Sequence, residues 1–438
     1  MTELKGKKVI VVGMAKSGVA AVELLAAQGA SVIAMDQKPA ANPRLAAVGV
    51  ETRAQTPMPA DLVVLSPGVP VDCDVAQAAR RDGTRVIGDL ELASWFLRGR
   101  IIGITGANGK TTTTAMTGHI LRESGVTVQV GGNIGTPPCE MVATSRDDQW
   151  NVLELSSFQL ETADTFRAHI GAALNVTPDH LDRHYTFENY ADAKARLFAN
   201  QTAQDHKVLN ADDPVTRGYA ERGAGAAVWF SLTHAVDRGA CVKGGEILLD
   251  GARLMLTSEV PLRGAHNVEN AMAAAAIASL AGVPHAQIRA AIQMFPGVEH
   301  RLEFVRRLSD VDYFNDSKAT NVDATLKAIA AFAGGLWIIL GGKDKDSDYR
   351  PLRDSLRGKL QGVLLIGAAA EKIATHLGDL PSLRCGTLEA AVREAHSRAH
   401  PGDTVLLAPA CASFDQFENY EHRGREFKRF VSGLEAAR

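Results

Sequence analysis

Lys110 stands in the stretch I-I-G-I-T-G-A-N-G-K-T-T-T-T at 101–114, preceded by a glycine turn and followed by four threonines. Such a run suits a nucleotide triphosphate. Gly106 and Gly109 let the backbone curl so that N–H groups point inward, and Lys110 brings a point charge to the β- and γ-phosphates. Thr111 offers a hydroxyl to Mg2+, while Ala107, Asn108 and Thr112 line the same turn. The spacing departs from the usual P-loop, because the position six residues before Lys110 is Ile104 where glycine is expected. The loop is a variant, so the residues around it must decide.

Behind it stand Glu154 at the end of an apolar run, His180 after another, and Lys194 on a helical stretch at 189–197. Hard Mg2+ prefers oxygen, which makes Thr111 and Glu154 its natural ligands and His180 a softer partner. Lys194 as encoded would repel a metal and reads as a solvent-facing lysine on an amphipathic helix. Asn267 and Asn270 precede an alanine-rich helix and suit an adenine-facing edge. Arg301 can present a planar guanidinium to phosphate. Asp316 and Lys318 lie in a cluster of seven polar or small residues at 315–321. Near the N-terminus, Gly13-Met14-Ala15-Lys16-Ser17-Gly18 follows an apolar strand, and Asp36 closes the next one. This nearly spells a dinucleotide fingerprint, but Ala15 replaces the middle glycine, which favours a nucleotide-diphosphate site over NAD. Ser66-Pro67-Gly68 is a second loop at the same sheet edge.

The elements that must position these residues alternate short β-branched runs with alanine-rich helical stretches, the pattern of parallel sheets built from βαβ units. With 438 residues the chain is expected to form about three domains. The expected boundaries are 1–97, 98–298 and 299–438, with a small antiparallel addition from the glycine-dotted stretches 223–225 and 239–251. Polar clusters follow apolar runs again and again, and ligands of parallel sheets gather where strands end. In the central region this holds for the P-loop, Gly131-Gly132-Asn133, Ser156-Ser157 and the 177–180 cluster. In the last region it holds for 315–318, 341–343 and 409–413.

Composition narrows the classes. Net charge is −3 at a sequence pI near 6.5 with no basic run, so nucleic acid and anionic membranes have no electrostatic footprint here. The start of the chain lacks the apolar core of a secretory signal, and the longest apolar run, at 271–281, is short and alanine-rich. Five scattered cysteines without C-x-x-C pairing fit reduced thiols in a cytoplasm, with neither metal nor disulfide assigned to them.

These residues together resemble the Mur ligases over essentially the whole length. The signals are T-G-A-N-G-K-T at 105–111, G-G-N-I-G at 131–135, E-L-S-S-F-Q-L-E at 154–161, N-V-T-P-D-H-L-D-R at 175–183, H-N-x-x-N at 266–270 and H-R-x-E at 300–303. The P-loop and H-R signals would fit the related folylpolyglutamate synthases equally. N-D-S-K-A-T-N at 315–321 and P-A-C-A-S-F-D-Q-F-E-N-Y at 409–420 point to the glutamate-adding branch. The resemblance implies an α/β protein of three domains: N-terminal Rossmann-like for a UDP-sugar peptide, central P-loop ATPase-like with a mainly parallel sheet for ATP, and C-terminal Rossmann-like for the amino acid. It implies an ADP-forming ligase that adds glutamate to UDP-N-acetylmuramoyl-L-alanine in peptidoglycan precursor synthesis, in the cytoplasm, with no obligate protein partner.

By the same resemblance Lys110, His180 and Lys194 are catalytic, and Thr111, Glu154, His180 and a carbamylated Lys194 serve magnesium. Asn270, Arg301, Asp316 and Lys318 hold the nucleotide. Ser17, Asp36, Lys38, Ser66, Gly68, Asn133, Ser156 and Gln159 face the UDP-muramoyl substrate, and Thr320, Lys345, Ser413 and Tyr420 face glutamate. Lys345 is preferred to Lys343 from its offset after Gly341-Gly342. Tyr420 stands where relatives often carry phenylalanine, and 36–38 lacks an arginine sometimes found there. D- and L-glutamate are both open, as are two other classes: a regulatory P-loop NTPase and an NAD-dependent oxidoreductase on the first region.

Overall fold

The computed structural model describes residues 4–435, which divide into two compact units between Phe295 and Pro296. The first unit holds two sheets and the second holds one, giving three α/β domains. The N-terminal sheet comprises β1 (Lys8–Val12), β2 (Ser31–Asp36), β3 (Thr52–Ala54), β4 (Leu62–Leu65) and β5 (Arg85–Gly88), ordered β3-β2-β1-β4-β5 and parallel throughout. The order reverses between β1 and β4, so the loops at 13–18 and 66–68 share one crevice.

The central sheet has nine strands: β6 (Arg100–Thr105), β7 (Val128–Gly132), β8 (Trp150–Glu154), β9 (Ile170–Ala173), β10 (His206–Asn210), β11 (Ala226–Ser231), β12 (Gly239–Lys243), β13 (Glu246–Leu249) and β14 (Ala252–Leu256). Their order is β14-β13-β12-β11-β10-β9-β6-β8-β7. Only β12-β13-β14 pair antiparallel, so the glycine-dotted segment extends the main sheet as a meander. Every residue of β8 is buried, as expected of a parallel strand covered on both faces. β6 lies between β8 and β9, which puts the P-loop at the switch point of this sheet.

The C-terminal sheet comprises β15 (Glu303–Leu308), β16 (Val311–Asn315), β17 (Leu336–Gly341), β18 (Leu360–Ile366), β19 (Ser382–Gly386) and β20 (Thr404–Leu407), ordered β15-β16-β20-β17-β18-β19. A β15-β16 hairpin is its one antiparallel pair. Loops after β16, β17 and β20 therefore leave the same edge side by side. Among the described residues no helix is long and apolar enough to cross a membrane.

Within the first unit, Glu91 joins the N-terminal domain to the central one. Its carboxylate, on the helix Asp89–Ser94, has no exposed surface. It accepts backbone N–H bonds from Asp164, Thr165 and Phe166 at 2.9 Å, a bond from Trp95 Nε1 at 3.0 Å, and one from the Thr165 hydroxyl. Four donors from one loop of the central domain thus converge on one side chain.

Candidate functional site

The helix Lys110–Glu123 starts directly from the P-loop, with Gly109 at φ 83° as its cap. Two constraints demand glycine there: the left-handed backbone, and a Cβ that would lie 2.3 Å from Asn270 Oδ1. Asn270 is itself held, donating to Asn267 Oδ1 at 3.0 Å and accepting from Thr113 Oγ1 at 3.2 Å. Asn270 thus braces the phosphate loop from behind, buried with Asn267 rather than standing at an open edge.

Asn175 does the same from the end of β9. Its carbonyl accepts from Ala107 N at 2.9 Å and its Oδ1 from Asn108 N at 2.8 Å. Ala107 and Asn108, expected to turn N–H groups toward phosphate, turn them into the protein instead. The inward-facing donors are left to the first turn of the helix at Lys110, Thr111 and Thr112, where a helix has no internal acceptors. Asn175 opens the N-V-T-P-D-H-L-D-R motif, whose spacing alone assigns it no role; the signal is an amide just past a strand end, facing the glycine turn.

Two ammonium groups converge on one carbonyl. Lys110 Nζ donates to Gly106 O at 2.8 Å and Ala107 O at 3.0 Å, and Lys194 Nζ reaches Gly106 O at 3.0 Å. Lys194 is not the solvent-facing lysine the helical pattern suggested. It is 2 % exposed, with Nζ 4.5 Å from the centre of the Tyr190 ring. Burial, and then the charge of Lys110, depress its ammonium well below the ordinary lysine range against the pull of Asp179 and Glu154.

Glu154 ends β8 beside this pair. Asn133 Nδ2 donates to its Oε1 at 3.0 Å, whereas Oε2 is buried without a hydrogen-bond partner. His180 has left-handed backbone at φ 52°, packs its ring 4.8 Å from Phe158, and lies 3.5 Å from Asp179. Among the described residues no three His, Cys, Asp or Glu side chains form a metal cluster. A cation here would draw on the Thr111 hydroxyl, Glu154, phosphate oxygens and water. An orphaned carboxylate oxygen beside a threonine-bearing P-loop fits such a hard ion.

Around this centre lie the loops expected to take the UDP-sugar. Gly13, at φ 91°, packs so tightly that a Cβ would meet Val69 Cγ2 at 2.5 Å. Asp36 uses both oxygens to shape that loop, accepting from Met14 N at 2.7 Å and Lys38 N at 2.9 Å. Lys16 Nζ reaches Gly135 O at 2.5 Å, and Arg183 Nη2 reaches Val69 O at 2.7 Å, so the loops of both first-unit sheets adjoin. Ser66 is buried, and nothing crowds Gly68. Ser156 and Gln159 form a reciprocal capping box on the helix Ser157–Leu160, so Gln159 is buried and spent on local structure. Next to it, burial raises the Asp89 carboxyl to about 6 against bonds from Leu90 N, Ser17 and Gln159.

In the second unit, Asp316 is buried near Arg301 and Lys318, and burial raises its carboxyl to about 6 against their charges. Lys318 Nζ lies 5.8 Å from the Tyr420 ring centre. Arg423, fully buried, ties this cluster to the next loop: it donates to Ser317 Oγ at 2.9 Å, Ser317 O at 2.8 Å and Cys411 O at 3.2 Å. Thr320 is half-buried, Ser413 buried and Lys345 exposed, all at the carboxyl edge of the third sheet.

Three family models cover the chain in sequence: "Mur ligase MurD-like, N-terminal domain" over 7–88, "Mur ligase middle domain" over 104–278, and "Mur ligase, glutamate ligase domain" over 300–411. A UDP-N-acetylmuramoylalanine--D-glutamate ligase of Solibacter usitatus is 60% identical over 438 residues, covering 99% of both chains. Its namesake in Myxococcus xanthus is 46% identical, covering 98% of this chain and 99% of its own. Solved structures share the fold at low identity. A UDP-N-acetylmuramate-alanine ligase of Thermotoga maritima gives a TM-score of 0.61 at 18% identity, covering 98% of this chain and 100% of its own. A pseudomurein peptide ligase of Methanothermus fervidus gives 0.59 at 19%, with the same coverage. With its P-loop at the switch point of a mainly parallel central sheet and these matches along its length, the chain belongs to the Mur ligase family.

Proposed function

We propose that this protein joins D-glutamate to the alanyl carboxylate of UDP-N-acetylmuramoyl-L-alanine with cleavage of ATP to ADP and phosphate. The observation that carries the reading is the convergence of Lys110 and Lys194 on the Gly106 carbonyl, beside the unpartnered oxygen of Glu154. The names of the relatives supply the acceptor and the hand of the glutamate. Residues 1–97 are assigned to the UDP-substrate, 98–298 to ATP and 299–438 to the amino acid. The compartment is the cytoplasm, where ATP and nucleotide sugars reside.

A carboxylate resists amines because its charge repels them and oxide does not leave. Phosphorylation removes both obstacles. Lys110 and the helix N-terminus hold the transferring phosphoryl group while the alanyl carboxylate oxygen attacks phosphorus; that P–O bond forms as the bond to the ADP oxygen breaks. The glutamate amine then attacks the acyl carbon, loses a proton and expels inorganic phosphate. Thr111 and Glu154 would hold Mg2+, and His180 and a carbamylated Lys194 would serve a second ion. The ion, when bound, neutralises phosphate charge. Lys194, whose charged form burial disfavours, is suited to add CO2 through its free amine: an N–C bond forms, a proton leaves, and an anionic oxygen donor stands where the amine stood. Asp316, Arg301 and Lys318 are assigned to the nucleotide, and Lys345, Ser413, Thr320 and Tyr420 to glutamate.

Phosphate release measured with ATP and Mg2+, with each acceptor and each glutamate enantiomer present or absent, tests the reading. Release is expected only when the UDP-muramoyl-alanine acceptor and D-glutamate are both present. Release without either, or with folate in place of the nucleotide sugar, would refute it.

A further inference from the structure

Two loops of the second unit carry residues assigned to the amino acid. One follows β17 and contains Lys345, and the other follows β20 and contains Ser413. Their strands are hydrogen-bonded neighbours, with Ile339 opposite Leu407. Backbone pairing continues past the strand ends, where Gly341 N donates to Pro409 O and Lys343 N to Ala412 O, both at 2.9 Å. The approach is close enough that a Cβ on Gly342 would lie 2.3 Å from Ala412 O.

A chain of side chains adds a second tie. At its centre is Tyr349, wholly buried, with its hydroxyl 2.7 Å from Asp344 Oδ1 and 3.0 Å from Cys411 Sγ. The phenol has one proton, and a carboxylate can only accept, so Tyr349 donates to Asp344 and the Cys411 thiol donates to the phenolic oxygen. The charge states agree with this order. Burial pushes the Cys411 thiol up to about 11, so it keeps its proton. Burial also opposes ionisation of Asp344, but bonds from Lys372, Tyr349 and Ser347 N outweigh it and bring the carboxyl to about 2. Lys372 Nζ donates to Asp344 at 2.8 Å and to Asp346 at 3.1 Å. It thus engages both aspartates that flank the exposed Lys345.

On the functional reading above, we propose that Tyr349 is a positioning residue for the incoming amino acid, its hydroxyl holding the Lys345 loop in register with the Ser413 loop through Asp344 and Cys411. Packing alone does not require the hydroxyl, since phenylalanine fills nearly the same volume. Loosening this tie acts on one edge of the third sheet and leaves the P-loop, on another sheet, unaltered.

The test is steady-state phosphate release with D-glutamate varied at saturating ATP and acceptor, and with ATP varied at saturating D-glutamate and acceptor. The wild type's dependence on glutamate tests the functional reading, whereas the ratio of variant to wild type tests this proposal. Tyr349→Phe is expected to raise the glutamate KM about tenfold, equivalent to about 1.4 kcal/mol, with kcat and the ATP KM within twofold. Cys411→Ala should behave likewise, whereas Cys411→Ser, which keeps a donor, should stay within about threefold. In a Lys345→Ala background, Tyr349→Phe should add less than twofold. An unchanged glutamate KM in Tyr349→Phe, an equal rise in the ATP KM, or a full effect in the Lys345→Ala background would overturn the proposal.

Discussion

Replacing Glu91 by glutamine tests how firmly the first two domains are joined, and the cost follows from its bonding. One carboxylate oxygen accepts from three backbone N–H groups, of Asp164, Thr165 and Phe166, and the other from Trp95, the Thr165 hydroxyl, Thr165 N and, at 3.4 Å, Arg85 Nη2, which keeps Asp164 as a second partner. Glutamine must aim its NH2 at one of these sets. The less costly rotamer keeps its oxygen on the three amides and points the NH2 at the indole N–H and at a hydroxyl free to rotate. Three charge-assisted bonds then become neutral ones, and Trp95 loses its acceptor. At about 1.5–3 kcal/mol for a bond to a charged group against about 1 for a neutral one, plus one orphaned donor at about 1–3, the loss is about 2.5–9 kcal/mol. Melting temperature should fall by roughly 2–4 °C for each of those kcal/mol, read by scanning calorimetry at neutral pH. The pH dependence has a definite sign. Burial opposes the charge, yet bonds from Thr165, Asp164 and Trp95 leave the Glu91 carboxyl below its ordinary value. Its contribution is therefore present above the unfolded glutamate pKa and is lost as pH falls through the lower folded one. The difference between wild type and Glu91→Gln should accordingly shrink in acid. A loss under about 1 kcal/mol, or a difference that grows in acid, would refute the joint described for Glu91.

Three further perturbations probe the site. Lys110→Ala should lower turnover by at least about a thousandfold, the scale of a lost phosphate clamp, while circular dichroism stays native; near-normal phosphate release would remove Lys110 from the chemistry. Gly109→Ala should raise the ATP KM at least about tenfold, because a left-handed alanine costs roughly 1–2 kcal/mol before its Cβ, 2.3 Å from Asn270 Oδ1, displaces that brace; unchanged ATP kinetics would contradict the placement. Asp89→Asn should be more stable than wild type at pH 7.5 by up to about 3 kcal/mol, since burial raises the Asp89 carboxyl from 3.8 to about 6 and a raised acid loses stability as pH climbs through that interval. In urea titrations that advantage should fade toward pH 4, and a constant offset at all pH values would count against it.

What the sequence disclosed and what it hid divide along a physical line. Residues at strand ends were legible, because an apolar run that stops at glycine or a polar residue marks both the strand and its carboxyl edge. The three-domain layout, the P-loop, Glu154 and the clusters at 315–318 and 409–413 all follow from that rule. Even the missing first glycine has a structural answer. Ile104 lies inside β6, fully buried between Ala172 and Glu154, so the strand runs two residues further before the chain curls at Gly106. Tertiary burial, in contrast, leaves no local trace. Lys194 has the helical spacing of a surface lysine, and only the packing of Tyr190 and the Gly106 carbonyl against it makes its amine unusual. Ser156 and Gln159 carry a capping-box spacing that could have been recognised from S-x-x-Q alone, and their local bonds take up polar groups otherwise assigned to substrate. Glu91 and Tyr349 lie beyond any such rule, since beside a local partner each bonds a distant one, Asp164 N 73 residues from Glu91 and Cys411 Sγ 62 from Tyr349. Each is a polar group whose meaning depends on donors brought from another loop, and an isolated glutamate or tyrosine in an amphipathic pattern gives no reason to expect them. The chemistry was therefore readable where backbone geometry presents it, and the supports that hold it in place became visible only once the sheets had brought distant loops together.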